Sequence, residues 1–173
     1  LLARPGGAVL GCCGCAPQGA QAASARGGLA MSAKRPVSVL VVIHTTDQQV
    51  LLLERTAHPG FWQSVTGSQE GEESLAETAL REVGEETGLR PGLDNLLDWR
   101  LSNRYEIYPA WRHRYAQGVS HNTEHVFGLR LAEAARITVA PEEHLGYVWL
   151  PWREAAGRGF SWSNRDAILM LGH

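Results

Sequence analysis

Residues 67–89 read GSQEGEESLAETALREVGEETGL, and they predict a loop that leads into a single helix. Ser74, followed three residues later by Glu77, forms a capping box in which each side chain satisfies an orphan backbone donor. Apolar residues then recur at helical spacing from Leu75 to Thr87. Gly88 can adopt the left-handed conformation that ends a helix. We therefore expect one well-delimited helix, and the rest of the chain is arranged around it.

Three carboxylates crowd one side of this helix, since Glu82, Glu85 and Glu86 stand at positions i, i+3 and i+4. Like charges at this spacing cost about 0.2–0.5 kcal/mol per pair. A cluster that opposes the helix suggests a hard counter-cation such as Mg²⁺, which prefers carboxylate and water oxygens. Arg81 can pair with Glu73 or Glu85 and leave the other carboxylates for the metal. A solvated, glutamate-rich helix face is the alternative, and spacing alone does not separate the two.

The whole stretch resembles the Nudix box without a gap or a substitution. That pattern is Gly, five residues, Glu, seven residues, Arg-Glu, an aliphatic, any residue, Glu-Glu, any residue, Gly and an aliphatic. The resemblance implies a Mg²⁺-dependent hydrolase of a nucleoside diphosphate linked to another group. It also implies an α/β fold in which a mixed β-sheet is sandwiched between α-helices.

Composition limits the other classes of function. A chain of 173 residues with 44% apolar residues is long enough for one domain with a substantial core. A net charge of −2 argues against binding to a nucleic acid polymer, and no apolar run is long enough for a membrane span. Cysteine occurs only at positions 12, 13 and 15, as expected of a cytoplasmic protein without a disulfide framework. We expect a small-molecule substrate and favour a monomer.

Residues 1–30 differ from the rest, with eight Ala, seven Gly, no acid and no aromatic residue. We interpret them as a disordered N-terminal extension upstream of a start at Met31, with the Nudix domain over residues 31–173. A transit or secretory segment and a lipoprotein-like signal ending at Cys12 are the alternatives, but both match poorly. A metal site at these cysteines is disfavoured because no fourth ligand is nearby.

Hydrophobic runs and turn residues predict the remaining elements. The predicted strands cover residues 37–43, 50–55, 61–66, 96–104, 123–131, 137–139 and 147–150. A helical turn is predicted at 151–156, and Ser163-Asn164 is predicted to cap a final helix over 165–171. This order of elements also predicts a mixed sheet between two helical layers.

Segments outside the box resemble the branch of the Nudix family that hydrolyses dihydroneopterin triphosphate in bacterial folate synthesis. This branch is similar in activity to a dATP pyrophosphohydrolase. The segments are KRPVSVLVVI at 34–43, FWQSVTGS at 61–68, RHRY at 112–115, NTE at 122–124, EHLGY at 143–147 and WSNR at 162–165. The resemblance implies release of dihydroneopterin monophosphate and pyrophosphate.

The same resemblance implies roles for individual residues. It places metal binding, by Mg²⁺ or a substituting Mn²⁺, on Glu82, Glu86 and Glu143. Glu85 is the candidate general base on the metal face, although it could equally be a ligand, and Arg81 would fix the carboxylates. The implied substrate contacts are Lys34, Arg55, Thr66, Tyr105, Glu106, Ile107, Tyr108 and Ser161.

A flat pterin ring needs an aromatic partner, and the candidates are Trp62, Tyr105, Tyr108 and Trp162. For Trp62 and Trp162 we favour packing in the core instead, because aromatic side chains dominate cores. Arg112 and Arg114 are compatible either with a phosphate cradle or with a solvated surface. No role is assigned to the histidines at positions 44, 121, 125 and 144, which lack partners at metal-ligand spacing.

Two further functions remain open at this stage. A nucleotide-pool hydrolase acting on dATP or an oxidised dNTP would share the box and the metal, and would differ only in the base pocket. A catalytically silent Nudix-like module that binds a nucleotide belongs to another class of protein. The intact set of carboxylates in the box argues against that silent module.

Overall fold

The structure is a computed structural model that describes residues 33–173, so the predicted N-terminal extension and Met31 lie outside the described residues. The strands are β1 (Val37–Thr45), β2 (Gln49–Arg55), β3 (Trp62–Gln63), β4 (Val65–Ser68), β5 (Leu96–Glu106), β6 (His121–Leu131) and β7 (His144–Pro151). The α-helices are α1 (Leu75–Thr87), α2 (Trp152–Arg158) and α3 (Trp162–Leu169). Three short 3₁₀ helices cover Leu93–Asn95, Pro109–Arg114 and Met170–Gly172.

The seven strands form one mixed sheet in the order β3-β2-β1-β6-β5. β4 pairs with β1, and β7 pairs with β2. β1 and β6 run parallel, with Val37 opposite Thr123, and the other pairs are antiparallel. The continuous apolar run of β1 follows from this central position, since both of its faces are covered.

Each face of the sheet carries its own core, because side chains alternate along a strand. Val39 and Val41 of β1 point to the first core, where they meet Ala79 and Val83 of α1. Leu40 and Val42 point to the opposite face and pack in the second core, to which α2 and α3 contribute apolar side chains. The prediction of a mixed sheet sandwiched between helices is confirmed.

The ends of α1 lie where the sequence predicts them. Ser74 caps the helix by accepting from the backbone N–H of Glu77 at 3.3 Å, and the Glu77 carboxylate accepts from the N–H of Ser74 at 2.7 Å. Gly88 has φ 73° and ends the helix in the left-handed conformation. None of the helices within residues 33–173 is long and apolar enough to cross a membrane.

Two predicted strands differ from the structure. Residues 61–66 are not one strand, because β3 pairs with β2 whereas β4 pairs with β1, and Ser64 separates them. Residues 137–139 do not form a strand at all. Ile137 is buried in the first core, and the N–H of Thr138 donates to the carbonyl of Thr87 at 3.0 Å, so the end of α1 anchors this segment instead of the sheet.

The final helix begins three residues earlier than predicted. Its N-cap is Ser161, whose hydroxyl accepts from the backbone N–H of Asn164 at 3.2 Å. Ser163 and Asn164, predicted as caps, lie inside the first turn and are buried. The hydroxyl of buried Ser64 donates to Oδ1 of Asn164 at 3.2 Å, so this polar pair fastens α3 to the sheet.

Candidate active site

Arg81 gathers the acidic side chains of the loop and of α1. Its guanidinium donates to both carboxylate oxygens of Glu73, at 2.8 and 3.1 Å. It also donates to Glu82 at 2.8 Å and to Glu85 at 3.0 Å. The hydrogen bonds from Arg81 hold the pKa of Glu73 at about 2. Arg81 thus pairs with both predicted partners and with Glu82 as well.

Glu82 lies against the backbone of Gly67, the first residue of the box. A Cβ atom at position 67 would stand 1.8 Å from Cδ of Glu82, so only glycine leaves room for this carboxylate. Burial raises the pKa of Glu82 to about 7, although the hydrogen bond from Arg81 acts in the opposite direction. The absence of a side chain at Gly67 is therefore what allows the Glu82 carboxylate to pack in this position.

A second acidic group contains Glu86, Glu143 and His144, and one ligand atom from each lies within 4.8 Å of the others. Glu86 and His144 are almost fully buried, whereas Glu143 is exposed. Nε2 of His144 is 3.0 Å from Oε2 of Glu86, but the two atoms are not aligned as a hydrogen bond. Burial raises the pKa of Glu86, and the nearby His144 opposes that rise.

This group fits a divalent cation on its own chemistry. Oε2 of Glu86 and both ring nitrogens of His144 are buried and have no hydrogen-bond partner within the described residues. Buried polar atoms without partners are costly, and a cation would satisfy Oε2 of Glu86 and one ring nitrogen of His144. Carboxylate oxygens suit Mg²⁺, and an added imidazole nitrogen also suits Mn²⁺.

The predicted metal ligands are only partly brought together. Glu86 and Glu143 share the group although they are far apart in sequence, but Glu82 stands beside Arg81 and Gly67 and outside this group. More than half of the Glu85 side chain is exposed, and it pairs with Arg81. His144, to which the sequence analysis assigned no role, joins the group because it directly follows Glu143 at the start of β7. That adjacency was the only available signal in the sequence.

A cavity of about 730 Å³ opens beside the group formed by Glu86, Glu143 and His144, and these three residues line it. All the residues predicted to contact the substrate line the same cavity: Lys34, Arg55, Thr66, Tyr105, Glu106, Ile107, Tyr108 and Ser161. The catalytic candidates Arg81, Glu82 and Glu85 do not line it. Its size is typical of a site for a small molecule.

Cationic side chains form one part of the cavity wall. Lys34 is half-buried, and its pKa is lowered first by burial and then by the charge of Arg114. Its backbone N–H donates to the carbonyl of Arg114 at 2.8 Å, which brings these two cavity residues together. Arg55 also lines the wall, whereas Arg112 pairs with Glu106 and does not line it. The wall can therefore supply charged donors to phosphate oxygens.

Aromatic side chains form another part of the wall. Half of Trp162 is exposed and it lines the cavity, so the interpretation of Trp162 as a core residue is wrong. Tyr108 and Trp111 also line it, in an edge-to-face pair with ring centroids 5.3 Å apart. Trp62 instead packs against the second core, as the sequence analysis favoured. The cavity therefore offers flat apolar surfaces to a ring.

Polar side chains from the sheet complete the cavity. Asn122 on β6 is buried and donates through Nδ2 to Oγ of Ser38 at 2.7 Å and to the hydroxyl of Tyr105 at 3.0 Å. Glu124, two residues along β6, is 5% exposed, and burial raises its pKa. Residues 122–124 belong to the segments that carry the resemblance, but it implies no role for them.

Comparison with known proteins identifies the family of this chain. The family model of the NUDIX domain matches residues 34–170. A protein of Escherichia coli K12 named dihydroneopterin triphosphate diphosphatase is 46% identical over 138 residues, which cover 78% of this chain and 91% of the relative. A protein of the same name from Haemophilus influenzae is 41% identical, with coverage of 81% and 89%.

A solved structure agrees with these relatives. The structure of the E. coli dihydroneopterin triphosphate pyrophosphohydrolase superposes with a TM-score of 0.73 at 45% identity, covering 80% of this chain and 95% of that one. The family match spans the sheet, the three α-helices and every residue that lines the cavity. The chain therefore belongs to the NUDIX domain family of hydrolases.

Proposed function

We propose that this protein hydrolyses 7,8-dihydroneopterin 3'-triphosphate to dihydroneopterin monophosphate and pyrophosphate, a step of folate synthesis. The observation that carries the proposal is one cavity that combines an acidic group, cationic side chains and aromatic surfaces. These three features match the metal, the phosphates and the flat ring of such a substrate. The names and identities of the relatives from E. coli and H. influenzae support the same substrate.

The residues proposed to hold the metal are Glu86 and Glu143, with Glu82 beside them on α1 and His144 as an added nitrogen donor. Mg²⁺ is the proposed ion, with Mn²⁺ as a substitute. When bound, such an ion neutralises charge that develops on the phosphates and lowers the pKa of a bound water. Arg81 would hold the carboxylate of Glu82 in place through its hydrogen bond.

The proposed binding mode follows from the walls of the cavity. Lys34 and Arg55 would donate to the phosphate oxygens, with the hydroxyls of Thr66 and Ser161 as neutral donors. Residues 105–108 and the exposed face of Trp162 would contact the ring. All these residues line one cavity, so the triphosphate and the ring can be bound at the same time.

In the reaction, water attacks the α or the β phosphorus. A P–O bond of the oxygen that bridges these two phosphorus atoms breaks, and pyrophosphate is separated from the monophosphate. A carboxylate near that water can take its proton, a contribution that is typically about 10²–10⁴-fold in rate. Glu85 is our candidate for this base. It reaches Arg81 from the exposed side of α1, so it must turn toward the cavity when substrate binds. A Glu85→Gln variant that keeps full kcat would exclude it.

The proposed function is tested by measuring kcat/KM with Mg²⁺ for dihydroneopterin triphosphate and for each dNTP, side by side. We expect the pterin triphosphate to be the preferred substrate and pyrophosphate, not single phosphate, to be released. The Glu86→Gln variant, prepared in the same way, controls for contaminating phosphatases. A higher kcat/KM for dATP or an oxidised dNTP would favour a nucleotide-pool hydrolase. Binding without turnover of any of these substrates would favour the silent module.

Three coarser expectations belong to the same proposal. A small phosphorylated molecule is the partner that the family implies. A cytoplasmic location agrees with the lack of cysteine beyond position 15. A monomer remains our prediction for the assembly, and light scattering of the purified protein would measure it directly.

A further inference from the structure

Asn122 and Glu124 form a polar pair on β6 that the proposed chemistry does not yet use. They are two residues apart on one strand, so both side chains point to the same face of the sheet. Both residues line the cavity, although only 3% of Asn122 and 5% of Glu124 is exposed. A carboxylate is rarely buried so deeply without a charged partner, and this burial calls for an explanation.

Asn122 is held rigidly, with one acceptor left over. Its Nδ2 donates to Ser38 and Tyr105, which fixes the direction of the amide. Its Oδ1 is buried and has no hydrogen-bond partner among residues 33–173. An unpaired buried acceptor next to a cavity is well placed to receive an N–H from a ligand.

Glu124 has only neutral neighbours. Nδ2 of Asn103 donates a long hydrogen bond to Oε1 of Glu124 at 3.5 Å, and the other groups that act on its pKa are the hydroxyls of Ser163 and Tyr105. No ion pair with Lys, Arg or His involves Glu124 in the part of the chain that the structure describes. A carboxylate without a cation repels phosphate, so this part of the cavity disfavours the triphosphate. It can accept N–H donors.

We propose that Glu124 and Asn122 read the hydrogen-bonding edge of the substrate ring and make the site selective for a 2-amino-4-oxopyrimidine. This inference rests on the proposed function and identifies the residues that select its substrate. The N3–H and the 2-amino group of such a ring are adjacent donors, and the two oxygens of Glu124 are adjacent acceptors. Asn122 Oδ1 accepts a further N–H of the ring.

The same pair discriminates against adenine. The corresponding edge of adenine offers one donor, the 6-amino group, next to one acceptor, N1. A carboxylate would place an oxygen against N1 and leave two acceptors facing each other. Sites built to bond a given polar edge reject ligands that lack it, because buried groups are then left unpaired.

The test uses the isosteric substitution Glu124→Gln, which replaces one acceptor oxygen by a donor. We expect kcat/KM for dihydroneopterin triphosphate to fall roughly 10- to 100-fold, the usual value of one bidentate edge contact. The loss should appear mainly in KM, because the group touches the ring and not the phosphates. The kcat/KM for dATP should stay constant or rise, since a glutamine amide matches the donor–acceptor edge of adenine. Glu124→Asp keeps the charge but withdraws it, so its loss for the pterin should be intermediate.

A binding measurement separates this inference from the reaction. Dihydroneopterin without phosphates should bind to the wild-type protein, as measured by calorimetry. Its affinity for Glu124→Gln should be weaker by roughly 10-fold or more. The control is Glu133→Gln, which removes an exposed carboxylate that does not line the cavity and should leave both substrates unaffected. Melting temperatures of all variants report whether the fold is intact.

The outcomes are distinguishable. A wild-type preference for the pterin triphosphate that Glu124→Gln retains in full would overturn the role of Glu124 and leave the proposed function standing. An equal loss for pterin and dATP substrates, with a lowered melting temperature, would mean that Glu124 only supports α3 through Ser163. A wild-type protein that prefers dATP would overturn the proposed function. The dihydroneopterin affinities would still decide the inference, because equal values for wild type and variant reject it.

Discussion

At the scale of single residues, Glu86 combines deep burial with a negative charge. Only 2% of it is exposed, and its Oε2 has no hydrogen-bond partner within the described chain. A deeply buried carboxylate costs stability unless its partners compensate fully, and such groups concentrate at functional sites. The arrangement therefore favours a residue kept for its chemistry at the expense of the fold.

The first prediction uses Glu86→Gln to test whether Glu86 lowers stability while it serves the reaction. The substitution keeps the shape of the side chain but removes the charge that a metal ion needs, so kcat should fall by several orders of magnitude even at saturating Mg²⁺. The melting temperature in metal-free buffer should rise or stay constant, because the buried charge is gone. Unchanged turnover would remove Glu86 from the site.

The second prediction concerns the coupling of Glu143 to Glu86. If both bind one cation, Glu143→Ala and Glu86→Ala should each be severe, and the double variant should be little worse than either. Glu133→Ala is the control, since it removes an exposed carboxylate that is not part of the acidic group and does not line the cavity. Glu143→Asp should weaken the apparent affinity for Mg²⁺ and recover partly with more Mg²⁺ or with Mn²⁺. Additive losses would show that the two residues act on different steps.

The acidic group also marks what sequence reasoning can and cannot reach. The helix spacing identified Glu86, and only the resemblance added Glu143, because no local pattern connects a loop before β7 to α1. His144 was missed since a single histidine carries no spacing signal. Its place in the acidic group became visible only when the fold brought its ring to 3.0 Å from Glu86.

At the scale of elements, α1 was predicted to the residue because both of its ends are encoded locally. The capping box and the left-handed glycine act within a few residues of each boundary. For α3 the local signal was ambiguous, since Ser161 and Ser163 are both of a residue type that caps helices. In the structure Ser161 is the N-cap, and Ser163 is buried in the first turn. Residues 137–139 resembled a strand, but they pack on the end of α1, and such a tertiary contact overrides strand propensity.

The third prediction concerns the junction of β4 and α1. In Gly67→Ala the new methyl group would overlap the Glu82 carboxylate, so Glu82 must leave its position beside Arg81. We expect a stability loss of about 1–3 kcal/mol from overpacking and a marked loss of activity. The matched control is Gly92→Ala, where φ is −82° and nothing lies within 4 Å of the added Cβ. Urea unfolding and kcat/KM of both variants measure the contrast. Equal behaviour of the two would contradict the packing argument.

At the scale of the whole molecule, the fourth prediction concerns residues 1–30. The family match begins at residue 34 and the sheet begins at Val37. Residues 1–30 lack aromatic side chains and acids, so we predict that they add nothing to the core. A chain that starts at Met31 should match the full chain in melting temperature and in kcat/KM. A drop of more than a few degrees, or lost activity, would assign the segment to the domain.

The last prediction follows from the pKa of Glu124, which burial raises from its usual value of 4.5. The folded protein then binds this proton more tightly than the unfolded chain does. The contribution of Glu124 to stability is therefore lost as the pH rises from about 4.5 through its folded pKa, and this contribution is constant above that pKa. Glu124→Gln cannot titrate, so its melting temperature should exceed that of the wild type by a margin that is small near pH 4.5 and grows as the pH rises.

The neighbours of Glu124 keep this test specific. Asn103 and Ser163 do not titrate, and burial raises the pKa of Tyr105 to about 12, well above the window. Glu82, whose pKa is about 7, titrates within the window but does so in both proteins and cancels in the difference. Melting curves in metal-free buffer at several pH values, with exposed Glu133→Gln as the control, measure the margin. A difference in melting temperature that does not change with pH would contradict the prediction. It would mean that burial of the charged form of Glu124 does not destabilise the folded protein.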